Sequence, residues 1–256
     1  MLSKHPIVAW LLGITLILVT WWLLAAMIAP NGKREPSLPG PLAVVRTVAA
    51  APLVFSRLTL QTGFQAWAGL VIAAVICWSL VVTVGVFETM EPLSYPYLVL
   101  LKATPAVAYV PLFMTLVGSG PWCKILVASM ISFFPLAVAG LDGLHATPDR
   151  LRLVALGFGA SRWHSFFGVR IGYALNGFLS GLKTSAPLAV VGSIVGEYVA
   201  GGRPTGLGSY IMRNIASDLM INVFSGVLMA TLLGLLFFSI AYLLWFFGLR
   251  ALHLAR

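Results

Sequence analysis

The sequence predicts an all-α, polytopic membrane protein of about six transmembrane helices. Three observations carry this. Of 256 residues, 60% are hydrophobic and 9% charged, too little polar surface for a water-soluble domain of this size. The apolar residues gather in runs near the length of about 20 residues that crosses a bilayer. The 16 Lys and Arg, against 7 Asp and Glu, stand at the ends of those runs rather than along one face. That pattern fits cations at membrane margins, makes lipid the surrounding partner and argues against nucleic acid.

The first span is expected over Val8–Ala29, behind Lys4 and His5. Its length favours an uncleaved anchor over a signal peptide, whose apolar core is shorter. Residues 30–41 carry Asn31-Gly32 and Pro39-Gly40-Pro41, which is loop chemistry. The apolar stretch after it, broken by Arg46 and Arg57, predicts a helix lying in the membrane interface. Residues 1–61 are thus expected to form an anchor, loop and interfacial helix, and 62–256 the transmembrane core. Within the core the predicted spans are Trp67–Phe87, Tyr97–Val117, Ile125–Leu141, Ile171–Val195 and Val223–Leu249. Pro105 and Pro111 in the third and Pro187 in the fifth kink these spans, which places them inside a bundle or beside a pathway.

The longest polar interruption runs from Asp142 to Arg170. Thr147-Pro148-Asp149 reads as a helix start, with Thr as cap, Pro at the first position and Asp near the positive dipole end. Leu151, Val154, Ala155 and Phe158 then fall on one apolar face, and Gly159 ends the helix. Ser161 caps a second segment, in which Trp163, Phe166 and Phe167 are expected as interface anchors. By itself this pattern fits either an interfacial loop or a docking knob. Its basic cluster, Arg150 to Arg170, places the loop in the cytoplasm, and six spans then put both termini there. Counted whole, with that cluster included, the cations at the span margins divide almost evenly between the two sides.

Several residues invite chemistry. Lys183 and Glu197 are ionisable groups within the fifth span, where a charge is costly and usually faces a bundle interior or watery path. Lys183 either lines the pathway, favouring an anionic solute, or is a structural cation that snorkels or finds a partner. Glu197 either lines the pathway or is a structural element of an external gate. Gly177 and Gly181 form a small-residue packing face. Gly177–Ser185 lacks both the spacing and the preceding strand of a phosphate loop. Gly206-Leu207-Gly208 reads as an external turn, and Glu88 and Glu91 as an interfacial salt-bridge pair. Cys77 is expected in hydrocarbon and Cys123 at a surface, so no disulfide is predicted. The four His and two Cys match no metal or redox spacing. No acid, base and nucleophile come together as a hydrolase would need.

The segment Gly159–Lys183, GASRWHSFFGVRIGYALNGFLSGLK, resembles the cytoplasmic coupling motif of binding-protein-dependent ABC importer permeases, and within them the nitrate/sulfonate/taurine branch. Leu101–Gly120, Lys124–Leu144 and Gly181–Ile211 resemble that branch's third, fourth and fifth spans, including a basic residue with a glutamate fourteen positions on. The likeness extends from Leu101 to about Leu249, and the order and spacing of the motifs make it specific.

The resemblance implies the type I importer (MetI-like) permease fold. It implies an ATP-driven importer subunit whose loop, residues 147–167, fits a cleft of a separate ATPase, with ATP and Mg held there and no cofactor on this chain. The loop residues in register with the coupling motif are Arg150, Arg152, Leu153, Val154, Ala155, Phe158, Gly159, Ala160, Ser161 and Arg162. Ala155 matches the motif's second alanine and Gly159 its glycine. Leu153 stands where the motif has glutamate, Val154 where it has its first alanine, and Gly172 and Asn176 where it has prolines. The implied partners are the ATPase subunits, a second permease copy (a homodimer) and a periplasmic or lipid-anchored substrate-binding protein. The implied location is the cell inner membrane, and the implied solute is a small anion such as nitrate, a sulfonate or taurine. An ATP-independent secondary transporter or channel is the alternative. It needs inverted repeats and midplane ionisable groups, and the sequence shows no convincing repeat.

Overall fold

The computed structural model describes residues 6–28, 37–90, 92, 96, 98, 100, 103–202 and 205–251. Its regular elements are helices: α1 (Pro6–Met27), α2 (Pro41–Ala50), α3 (Pro52–Val86), α4 (Tyr109–Val117), α5 (Pro121–His145), α6 (Asp149–Gly157), α7 (Arg162–Ala200), α8 (Leu207–Ala216) and α9 (Met220–Ala251). Four of them, α3, α5, α7 and α9, are long and apolar enough to cross a membrane. The 22 residues of α1 match a span in length as well.

The expected interfacial helix is only partly found. Pro41 starts α2 and Pro52 starts α3, each at the first helical turn where a missing N–H costs nothing. From Pro52 the chain continues unbroken for 35 residues, so Arg57 and the positions around residues 61 and 62 belong to the upper turns of the second span. Such a helix is about 52 Å long at 1.5 Å per residue, against a hydrocarbon layer of about 30 Å. The rod is longer than the layer is thick, and Arg57 lies within its first two turns with an exposed side chain.

The third span is not one helix. A 3₁₀ turn, Ala106–Ala108, precedes the 9-residue α4. Pro105 supplies no N–H and disfavours a helical residue before it, so the crossing breaks there instead of kinking. Gly118, at φ 75°, closes α4, and Pro121 opens α5. The fourth span is longer than expected, with 25 residues reaching His145, so Asp142 belongs to it rather than to the polar loop.

α5 and α7 form the axis of the bundle. A Cβ on Gly177 would lie 2.6 Å from the Cα of Gly143, and one on Gly192 would lie 2.6 Å from the Cα of Ala128. Lipid offers no hydrophobic drive between rods, so close backbone approach at small residues is what holds them together. The small-residue face at Gly177 and Gly181 is thus a helix contact. Beside it, Cys77, Val81 and Val84 of α3 meet Leu136, Leu141 and Leu144 of α5 and Ala174 of α7 in one buried cluster. α9 packs along α7 and leaves most of its surface outward.

Both cysteines are free and fully buried. The expectation that Cys123 lies at a surface is incorrect, because its Sγ sits 3.8 Å from the carbonyl of Val110, against α4. Gly206-Leu207-Gly208 is not a free turn either, since Leu207 begins α8. The expected Glu88–Glu91 pair lies outside the described residues.

Candidate coupling site

The elbow between α5 and α7 is built from short-range signals. α6 runs Asp149–Gly157, with Asp149 in its first turn near the positive end of the dipole. Gly159 adopts φ 78°, a left-handed conformation that ends the helix and that residues with a Cβ reach only with strain. The N–H of Ala160 donates to the carbonyl of Ala155 at 3.0 Å, which closes the turn. Ser161 is the cap of the next helix, accepting from the N–H of His164 at 3.3 Å. Its Oγ also lies 2.7 Å from Nδ1 of the same histidine. The expected cap at Thr147 does not form. Its Oγ1 is buried without a hydrogen-bond partner, and the turn is made instead by Leu151 N–H donating to the Pro148 carbonyl at 3.0 Å.

The second half of the elbow is not a separate helix. It runs through a π turn, Phe166–Arg170, into the long rod of α7. Phe166 is no interface anchor: it is fully buried beneath the elbow, packed where a Cβ on Gly85 would strike its ring. Arg170 is buried beside it and donates from Nη1 to the Gly85 carbonyl at 2.9 Å. Trp163 and Phe167 stay outside, stacked at 5.8 Å with planes 7° apart. The elbow is thus pinned to the end of α3 by one aromatic plug and one arginine, and its polar part shrinks to about residues 146–165.

Above those pins α6 presents an apolar surface to the outside. Phe158 is 90% exposed, Leu153 66%, Val154 56% and Leu151 42%. An isolated exposed leucine means little, but three large apolar side chains on the nine residues of α6, with Phe158 directly after them, form a surface that wants a partner. Ala155 and Ala160 are half-buried, and Arg150, Gly159, Ser161 and Arg162 are exposed around this face. The backbone of Arg152 lies in α6, and its side chain lies outside the described residues.

At the opposite end of the bundle lies a buried polar cluster that sequence reasoning found only in part. Glu197 is fully buried. It accepts from the Thr62 hydroxyl at 2.9 Å and from the Gly208 N–H at 2.7 Å. Thr62 Oγ1 accepts in turn from the Leu207 N–H at 2.9 Å. Gly206 has no side chain with which to cap α8, so the carboxylate from α7 and the hydroxyl from α3 take up the first N–H groups. Lys124 of α5 is fully buried too and interacts electrostatically with Glu197. Ser193 adds a hydrogen bond of 3.1 Å to Gln65. Four helices are therefore joined by one carboxylate. The missed signal was Thr62 and Gln65, polar residues three apart on one face of an apolar helix.

Lys183 lies midway along α7, with Nζ 3.6 Å from the centroid of the Trp245 ring of α9. Of the two readings of this residue, the geometry supplies a partner, a cation held on an aromatic face.

The model of the family described as binding-protein-dependent transport system inner membrane component matches residues 76–246. The formylaminopyrimidine transport permease protein ThiX of Halalkalibacterium halodurans is 30% identical over 207 residues, 77% of each chain. The riboflavin transport system permease protein RibX of Chloroflexus aurantiacus is 36% identical over 130 residues, 51% of this chain and 47% of its own. The putative aliphatic sulfonates transport permease protein SsuC of Bacillus subtilis is 26% identical over 212 residues, 79% of this chain and 74% of its own. With an all-helical membrane bundle and a match over most of its length, the chain belongs to the binding-protein-dependent transport system inner membrane component family: it is an ABC transporter permease subunit and not an enzyme, and the ATPase is a separate subunit.

Proposed function

We propose that this chain is the permease subunit of an importer, working as two copies, and that α6 is the handle by which the ATPase drives it. The exposed apolar face of α6, with Phe158 at its tip, carries this reading. ATP binding, with Mg, on the paired ATPase subunits draws the two elbows together. Each elbow is rooted by Phe166 and Arg170 on α3 and is continuous with α7, so its movement turns both rods at once. ATP needs only to favour the closed ATPase pair for the spans to switch their facing. The elbow then faces the cytoplasm, the termini of the six-crossing chain lie on the same side, and the substrate-binding protein delivers solute at the α8 end.

The contact surface comprises Arg150, Arg152, Leu153, Val154, Ala155, Phe158, Gly159, Ala160, Ser161 and Arg162. With leucine in place of the motif's glutamate, apolar burial carries the grip, and the arginines at its rim govern orientation and rate of docking. Glu197 and Lys124 hold the outer gate closed at rest. The region from about residue 62 forms the pathway core, and the preceding part anchors it.

Two measurements test this. Affinity purification of the chain from its native membrane is expected to bring down ATPase in one-to-one ratio. Gly159→Val, which forces a β-branched residue to φ 78° in otherwise open space, is expected to remove most of that ATPase while the permease itself remains in the membrane. Equal ATPase recovery with the variant would contradict the handle.

The relatives' solutes are of two kinds, organic sulfonates and nitrogen heterocycles. A small anion, the solute implied by the nitrate/sulfonate/taurine branch, needs a cation on its route, for which Lys183 is the candidate. With its ammonium on Trp245, Lys183→Gln is expected to lower stability by about 1–2 kcal/mol and to leave the KM for uptake within threefold. A tenfold rise in KM would make it a solute contact.

A further inference from the structure

The end of α3 that meets the elbow is a joint of three helices. Gly85 lies in the last turn of α3, where a carbonyl has no acceptor role left within its own helix and the dipole is negative. The buried Arg170 guanidinium answers both, donating to that carbonyl at 2.9 Å with a full positive charge. A Cβ on Gly85 would strike the Phe166 ring and stand 3.3 Å from Cδ1 of Leu144 on α5. The missing side chain at residue 85 is therefore what lets the root of the elbow seat on α3 and α5 together.

Three helices run from this joint to the buried polar cluster at the opposite end, where Thr62 of α3, Lys124 of α5 and Glu197 of α7 meet. They differ in stiffness. Pro135 lies inside α5 and Pro187 inside α7, and each removes a rung of the backbone ladder. α7 is widened once more at its root, where the Ile171 N–H reaches back five residues to the Phe166 carbonyl. α3 has its proline only in the first turn and is α-helical from there to Val86. Gly69, midway along it, is no loose point: a Cβ there would lie 2.6 Å from the Cβ of Ala128, so α5 braces it. From Gly85 to Thr62 this rod is about 35 Å long at 1.5 Å per residue. At its far end the Thr62 hydroxyl donates to Glu197 of α7 and accepts from the Leu207 N–H of α8, each at 2.9 Å. A shift of α3 at the joint is thus felt by both other elements at the cluster.

We propose that α3 is the rod by which the elbow works the far end of the bundle, with Gly85, Phe166 and Arg170 as positioning residues at its driven end and Thr62 at its working end. This deepens the handle reading above and rests on it. The test uses the complete transporter, with its ATPase and binding protein, in lipid nanodiscs. Thr205→Cys places a reporter thiol just before α8, at a half-buried position, while the native Cys77 and Cys123 are buried. Its reaction with a hydrophilic maleimide is timed before and after addition of Mg and a non-hydrolysable ATP analogue. With the joint intact, the labelling rate is expected to change at least fivefold. Arg170→Met keeps the length of the side chain but cannot donate, and Gly85→Ala displaces the Phe166 ring. Each is expected to bind the ATPase within threefold of the wild-type affinity and to lose most of the labelling response. Arg170→Lys, which retains a charged donor, is expected to keep at least half of it. A response that survives both Arg170→Met and Gly85→Ala would put the stroke on α7 and overturn the proposal. Loss of ATPase binding in both would overturn it too, by making the joint a part of the elbow's fold alone. No response in the reporter transporter with its joint intact would instead strike at the handle reading itself.

Discussion

Phe158→Asp is expected to leave the permease folded and inserted while abolishing most ATP-coupled uptake. The side chain is 90% exposed in the isolated chain, so its replacement removes little from the fold. In a docked complex the same ring is the largest apolar group at the tip of α6. Truncating an aromatic anchor in an interface core costs about 2 kcal/mol or more, and the desolvated carboxylate adds to that. Affinity for the ATPase is expected to fall at least about 30-fold, measured by titrating detergent-solubilised permease with purified ATPase. Phe158→Leu, which keeps an apolar tip, is expected to lose far less. Equal losses from both would mean that shape, and not apolar burial, makes the contact.

Glu197→Ala is expected to act in the reverse manner, on the fold before the coupling. The carboxylate joins α3, α5, α7 and α8 through Thr62, Lys124 and the first N–H groups of α8. Removing it takes the counter-charge from a buried ammonium and the acceptor from the Gly208 N–H at the start of α8. Breaking one partner of a buried pair typically costs about 3–5 kcal/mol, a fall of roughly 10 °C in Tm for a chain of this size. Fluorescence-detected thermal unfolding in detergent reads it directly. Combining Lys124→Met with Glu197→Gln removes both charges and keeps a side-chain acceptor for the cap, so most of the lost stability is expected to return. If the double variant is no more stable than Glu197→Ala, the electrostatic pair is not what holds the outer end.

The legible parts of this chain were those set by local chemistry. The fold class followed from apolar runs, and the elbow's helix, glycine stop and serine cap were each written within a few residues. The rest needed contacts between distant segments. Phe166 and Arg170 look like interface residues next to Trp163 and Phe167, and only Gly85, on another helix, reveals that both are buried. Lys124 sits beside Cys123 at the start of an apolar run and resembles a flanking cation until Glu197 appears opposite it. Pro105 announced a perturbed span, but kink and break share one signature, since proline removes the same N–H in both. Arg57 argued for an interfacial helix because a single arginine in an apolar run is ordinarily expelled from a span. Nothing local says that the helix begun at Pro52 runs on without a break into the second span.

Cysteine placed at residue 158 offers the most direct measurement, because the native Cys77 and Cys123 are both buried. A membrane-impermeant maleimide is applied to inside-out and right-side-out vesicles, with and without the ATPase. Labelling from the cytoplasmic face alone, lost when the ATPase is bound, is the predicted result. Labelling from the outer face, or labelling that the ATPase leaves unchanged, would contradict the elbow's role as the motor's grip.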